Sequence, residues 1–465
     1  MTFTTRSGRL SAFLLTALVA LGVLTLGMLP ALWPAGAVLS CAALFVILSF
    51  CLPAWTLPSL SLVLFALVPV GYLAMVPEVL GRFVTPSVVL MTCWLLRVRL
   101  GRTRWSRRGA LWLLSLAGLL VALSLCSITI WRSLLWSAVF TVAALLPAAW
   151  HQAAGYRTRA ALTRTWLLLG AGLGALALVE GVARRNPLSM LYTVEQHWSV
   201  YRVETTIGHP LLNGTFFAVT ACIAFFSIRS EGRNGLLPLA VFALCSAGAT
   251  LSGSRSAVYA LIAGLGVGVM VLLLSRRAGL GLKLLALSVT VVTVAVVPNV
   301  PIITTRASSA EAGRSTQYRD MVVQLATELF AKHPYIGTGP GSSGTAAANT
   351  DTPLTIESAV LGTLVSTGII GSAALAIFLL TICVRAARSG SPGCVAALAA
   401  FVVTGSAYPL WESNPAAWVL VGWISLLATA PMPRRVDPAI GPPALLSAGV
   451  AEPARPLAPT GGRPQ

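Results

Sequence analysis

Long stretches without a charged residue recur from Leu10 to Ala430, and they constrain the fold more than any other feature of the chain. Soluble domains carry roughly a quarter charged residues to stay dissolved. Here only 10% of the 465 residues are charged and 56% are hydrophobic, and the mean hydropathy is +0.84. A water-soluble body is excluded on these runs, and the sequence predicts an all-α polytopic membrane protein.

Turn residues and charges divide the runs into fourteen candidate spans: 10–29, 35–52, 56–76, 83–96, 109–128, 133–150, 165–183, 210–228, 235–251, 256–275, 284–300, 356–384, 394–410 and 416–430. Because 83–96 and 416–430 are short and one pair could be re-entrant, about 12–14 transmembrane helices are expected. Residues 1–430 form the membrane domain in this reading. Arg6 and Arg9 precede an apolar run reaching nearly to Leu29, longer than a signal-peptide core, so the first span is read as uncleaved.

The net charge of +19 would suit a nucleic-acid partner, but its distribution argues for topology instead. With a cytoplasmic N-terminus, 22 of the 32 lysines and arginines fall on the inner side, including the run "RVRLGRTRWSRR" at 97–108. That run reads as an anchor against anionic lipid. Both termini are then cytoplasmic, and no nucleic-acid partner is expected. The Pro-, Gly- and Ala-rich tail at 431–465 reads as disordered. The eight cysteines form no C-x-x-C pair and read as free apolar thiols.

Two outer loops exceed simple connectors: 184–209, rich in Tyr and Trp, and 301–355. In the second, Tyr318, Val322, Leu325 and Leu329 recur at spacings of four, three and four, which predicts an amphipathic helix ended by Pro334 and lying in the membrane interface. "GPGSSG" at 339–344 fits G-x-G-x-x-G, but a helix precedes it and no βαβ unit is present, so it reads as a turn rather than a nucleotide site.

The stretch "TLSGSRSAVYALIAG" at 250–264 places Arg255 in the hairpin between two spans. It can be a helix-end arginine that snorkels to the interface. It can also be a phosphate ligand, since its planar fork never loses its charge and the positive-inside rule gives no reason for it on the outer face. Arg319, beside Asp320, Arg314 and Arg202 share that choice between solvated surface and anion binding. Glu357 begins the run "ESAVLGTLVSTGIIG"; it can be a helix-dipole carboxylate or a general base, and Glu412 in "PLWESNP" is a weaker candidate of the same sort. His197, His209 and His333 fall outside with no metal-ligand spacing, so no metal site is expected.

Together these segments resemble the O-antigen ligase and O-antigen polymerase family of bacterial envelope glycosyltransferases, over roughly Thr206 to Gly371. "TTIGHPLLNGTFFA" at 205–218 looks like the family's lead-in to a span. "TLSGSRSAVYALIAG" resembles its Thr-x-Ser-x-Ser-Arg hairpin, with Arg255 on the family arginine. "YRDMVVQLATELFAKHPYIGTGPG" resembles its arginine-led helix followed by His-Pro and a Gly-x-Gly turn, with Arg319 leading. Members often carry His-Asn or Asp-Asn where this chain has Glu357-Ser358, which leans toward a polymerase or a ligase of other glycans. The resemblance implies a C-type glycosyltransferase fold with a large extracytoplasmic loop, in the bacterial cytoplasmic membrane, with its site facing outward. It implies a polyprenyl-diphosphate-linked glycan donor, a glycan or lipid acceptor and surrounding membrane lipid as partners, with no cofactor and no metal. Arg255, Arg319 and Glu357 are then the expected catalytic residues, and Arg314, Arg202, His209 and His333 the expected substrate contacts. A polytopic transporter or lipid-linked glycan flippase is the alternative. It would show discontinuous helices and charges within the membrane, whereas Glu180 is the main charge inside a span.

Overall fold

The computed structural model describes residues 46, 47, 49–68, 78–100, 107–186, 188, 200–228, 235–276, 278–308, 310–351 and 353–428. The candidate span 10–29, most of 35–52, His197 and the tail 431–465 lie outside the described residues. Among the described residues every regular element is a helix. In chain order these include α1 (Leu57–Leu67), α2 (Pro86–Leu100), α3 (Arg107–Leu125), α4 (Ile130–Ala149), α5 (Tyr156–Ala183), α6 (Pro210–Ser227), α7 (Leu236–Leu251) and α8 (Arg255–Leu274). They continue with α9 (Leu280–Val296), α10 (Ala310–Lys332), α11 (Ser343–Ala348), α12 (Ala359–Arg388), α13 (Pro392–Gly405), α14 (Leu410–Ser413) and α15 (Val419–Leu427). The protein is an all-α polytopic membrane protein. Among the described residues, six helices are long and apolar enough to cross a membrane: α4, α5, α6, α8, α12 and the stretch Leu280–Asn299. Six further apolar helices among the described residues are shorter.

Backbones in the centre approach closely because small residues line the crossings, as lipid-embedded helices require. A Cβ on Gly264 of α8 would stand 2.6 Å from the Cys222 sulfur on α6 and 2.7 Å from the Ala396 carbonyl on α13. An aromatic block fills the space between α4 and the C-terminal helices. Trp136 and Phe140 stack at 5.6 Å, and Trp418 stands edge-on to Phe140 at 4.8 Å. The Trp136 indole N–H donates to the Trp411 carbonyl at 2.9 Å, so its polar atom is satisfied. Cys222, Cys245 and Cys394 are buried free thiols.

The stretch 301–355 is folded. The apolar face of α10 (Val322, Leu325, Ala326 and Leu329) packs on Ala346, Ala347, Ile356 and Val365 as a second core. The helix therefore spends its apolar stripe on the protein, where an interfacial helix would turn it toward lipid. Helix α12 is broken at Gly368, whose φ is 61° and ψ −167°. The segment 334–339 fills the break. Ile369 and Ile370 donate to the carbonyls of Pro334 and Tyr335 at 2.9 and 3.2 Å, while Thr338 and Gly339 donate to those of Val365 and Ser366 at 3.0 and 2.7 Å. An interrupted apolar helix needs protein partners for its freed backbone groups, and the Gly-rich turn supplies them.

Candidate active site

The hairpin between α7 and α8 is built by its serines. The Ser252 hydroxyl donates to the Ala249 carbonyl at 2.7 Å, closing α7. Ser254 is the N-cap of α8, its hydroxyl accepting from the Ala257 amide at 3.3 Å. Arg255 is thereby fixed as the first residue of α8, half-buried. A cation at the positive end of a helix dipole is unfavourable for stability, and no carboxylate pairs with Arg255 among the described residues. Dipole and guanidinium together favour an anion at this point.

Arg202 arrives at the same hairpin from the preceding connection. It is buried, and its Nε donates to the Ser252 carbonyl at 3.0 Å. Its stem covers Gly253, where an added Cβ would meet the Arg202 Cγ at 3.1 Å. The segment carrying Arg202 is held by Glu180, near the end of α5. One Glu180 oxygen accepts from the Tyr201 hydroxyl and the Glu204 amide at 2.9 Å each, and the other from the Thr205 amide at 2.9 Å. Asn213 adds a bond to the Val203 carbonyl at 3.1 Å. The main charge inside a span is thus a backbone anchor for the returning chain. His209 ends this segment as the N-cap of α6, its Nδ1 accepting from the Leu211 amide at 3.2 Å. Its ring stacks on Tyr408 at 5.1 Å. Burial, with the Arg202 charge added, holds His209 down at about 3, so it is neutral at physiological pH.

Arg319 and Glu357 meet across two elements, Nε to Oε2 at 3.9 Å, with side chains 45% and 42% exposed. The meeting is enforced one residue away. The Tyr318 hydroxyl donates to the Thr355 carbonyl at 3.1 Å and accepts from the Thr355 amide at 2.7 Å. Ile356 is buried in the second core, and Ser358 caps α12 by accepting from the Leu361 amide at 3.3 Å. Burial raises the Glu357 carboxyl above the usual carboxylate range, and the Arg319 charge partly offsets this.

A chain of contacts links the two arginine sites. The amide of Ala359, two residues after Glu357, donates to the Tyr408 carbonyl at 3.1 Å. Tyr408 stacks on His209, whose ring feels the Arg202 charge, and Arg202 bonds the Arg255 hairpin. Arg314 and His333 are not drawn in. Both are exposed, one earlier on α10 and one just beyond it, and neither contacts the Arg319–Glu357 pair. Glu412 is 4% exposed, which removes it from the mouth where a base for an incoming hydroxyl would stand. Its Oε2 accepts from the hydroxyls of Ser343 and Ser366, at 3.0 Å each. No group of three metal-ligating side chains occurs among the described residues.

Sequence reasoning missed Tyr318, Tyr408, Ser343 and Ser366, which hold the site without chemistry of their own. It also took "GIIG" at 368–371 as part of an unbroken span. Glycine inside an apolar run was the available signal, though it does not distinguish close packing from a break.

Fold and site together define an all-α membrane protein with Arg255 at the start of α8 and an Arg319–Glu357 pair just ahead of α12. Residues 240–376 match the family model described as O-antigen ligase. The match contains Arg255, Arg314, Arg319, His333 and Glu357, whereas Arg202, His209 and Glu412 lie outside it. No curated protein matches the chain.

Proposed function

We propose that the protein is a glycosyltransferase of the bacterial cytoplasmic membrane. It moves a glycan from a polyprenyl-diphosphate donor to an acceptor hydroxyl at the outer face, as a polysaccharide polymerase or ligase. The observation that carries this reading is the contact of Arg319 with Glu357 within the matched segment, a cation and a base held side by side. In the transfer, the acceptor oxygen forms a bond to the anomeric carbon and its proton passes to Glu357. The bond from that carbon to the diphosphate oxygen breaks, and the polyprenyl diphosphate leaves with the electron pair. Arg255 and Arg319 stabilise the growing negative charge, a contribution that can be the largest single term in such a step.

Arg319 has two anions to serve. Without donor it pairs with Glu357; a bound diphosphate, with more charge, competes for the guanidinium. Losing that partner leaves the carboxylate more basic as the acceptor arrives. The break in α12 gives a transporter reading little support, because the backbone groups at Gly368 are bonded to the segment 334–339.

The test uses purified protein and a synthetic lipid-linked repeat unit. Separation of elongated lipid-bound chains from glycan moved to a second acceptor tells polymerase from ligase. Wild-type protein should form one of these products, and R255A and R319A variants that insert normally should form little. Normal product from both variants would overturn the arginine assignment.

A further inference from the structure

Glu412 is a buried carboxyl that the transfer leaves unused. It sits on α14, four residues after Tyr408. It joins three pieces of chain: α14 itself, Ser343 at the end of the Gly-rich turn, and Ser366 in the last turn before the break in α12. The Ser366 hydroxyl also accepts from the Ser343 amide at 3.0 Å, and its carbonyl from the Gly339 amide at 2.7 Å. Space at the junction is reserved for the carboxyl: a Cβ on Gly362 would stand 2.9 Å from the Glu412 Cγ and 3.1 Å from the Ser343 hydroxyl. A carboxylate used only as glue would satisfy both oxygens. Here Oε2 takes two hydroxyl donors, and Oε1 is buried without a hydrogen-bond partner among the described residues.

That asymmetry favours a neutral acid over an anion: Oε2 accepts twice as a carbonyl oxygen, and an unpaired buried hydroxyl at Oε1 costs less than an unpaired buried anionic oxygen. The charged group facing it is Arg132 on α4, whose Nε donates to the Gly341 carbonyl at 2.9 Å on the same turn. Ser343 and Ser366 face it from the turn and from α12, and neither titrates.

We propose that neutral Glu412 is a positioning residue, a latch that fixes the first turns of α12 against the Gly-rich turn and so sets Glu357 against Arg319. The lever is short. The Tyr408–Glu412 stretch holds α12 at two places, the Ala359 amide on the Tyr408 carbonyl and the Ser366 hydroxyl on Glu412. Glu357 precedes the first of these by two residues. Burial pushes the Glu412 carboxyl up to about 7, with the serine hydroxyls and Arg132 opposing, so the latch is intact below neutrality and ionises above it.

The transfer part of this inference rests on the glycosyltransferase reading; the latch does not. Two measurements separate them. In thermal unfolding of detergent-purified protein, wild type and E412Q should melt together at about pH 4, below the unfolded carboxyl value. At pH 8 E412Q should melt higher, because the stability given by a carboxyl with a raised folded value is lost as pH rises through that value. Coincident melting at both pH values overturns the latch. In the lipid-linked glycan assay, wild-type kcat should fall on the alkaline side through about 7. E412Q, which keeps the acceptor oxygen, should lose that limb and retain the plateau. E412A, or S366A if E412A does not insert, should lower kcat by about tenfold to a hundredfold with donor KM little changed. An E412Q profile identical to wild type, or full turnover in S366A and E412A, overturns the positioning role. Absence of any transfer by wild type sinks the enzyme reading and leaves the melting test to decide the latch.

Discussion

At the scale of single residues, the site turns on charges held where stability alone would not put them. Arg255 stands at the positive end of α8, a location that favours carboxylates. Truncation to alanine should leave folding intact and lower glycan transfer about 10²–10³-fold, as loss of one stabilising donor does elsewhere. Lysine should restore only part of this, because an ammonium cannot offer paired donors to a diphosphate. For Glu357 the direction of the pH response follows from its neighbours. A general base works when ionised, so activity should rise with pH through its folded value, which burial lifts above the usual carboxylate range. Removing Arg319, the group that opposes this lift, should move the acid limb of residual activity to still higher pH. A limb that stays in place would count against Glu357 as the base. E357Q should cost about 10²–10⁴-fold in turnover, with donor binding preserved.

At the scale of elements, the break in α12 and the turn that fills it form one device. Gly337 and Gly368 both have φ above +60°, at 67° and 61°. Each occupies the space beside the other's segment: a Cβ on Gly337 would lie 2.4 Å from the Ser366 carbonyl oxygen, and one on Gly368 would lie 2.4 Å from that of Tyr335. Alanine at either position meets backbone in a conformation that L-residues rarely adopt. G368A should lower stability by about 1–3 kcal/mol from the conformation alone, more once the clash is added, and should reduce transfer by displacing Glu357. A melting curve and an assay on the same preparation check both. The neighbouring helix was legible in the sequence, but the break was not. The spacing of Tyr318, Val322, Leu325 and Leu329 marked the apolar face of α10. It could not say that this face would close on Ala346, Ile356 and Val365, because an apolar stripe fits lipid and protein equally well.

At the scale of the whole molecule, α6, α8 and α13 pack through small residues, and stability depends on their close approach. Gly264 touches both neighbours, so G264L would drive a side chain into the Cys222 sulfur and the Ala396 backbone. The expected result is loss of a monodisperse peak on size exclusion in mild detergent, with transfer lost at the same time. A well-behaved, active G264L protein would show that the three helices can separate without harm. Arg255 begins one of these helices and His209 caps another, so the proposed site inherits its geometry from this packing.

The sequence by itself determined the solvent and the class. Apolar runs from Leu10 to Ala430 leave a membrane as the only fitting environment, and hydropathy is a local property that needs no partner to be read. It also marked Arg255 and Glu357, because a charge beside an apolar span stands out, and Arg319, because it sits on an amphipathic helix of the outer loop. Only the tertiary structure decided which of the marked residues meet. It set Arg319 against Glu357, tied Arg202 to the Arg255 hairpin, left Arg314 and His333 apart and buried Glu412. It also decided that α12 is broken. These outcomes depend on contacts such as Gly339 to Ser366 and Tyr318 to Thr355, whose partners are 27 and 37 positions apart in the sequence. A hydrogen bond between distant segments leaves no periodicity in either one, so its existence is settled only when the chain has closed around it.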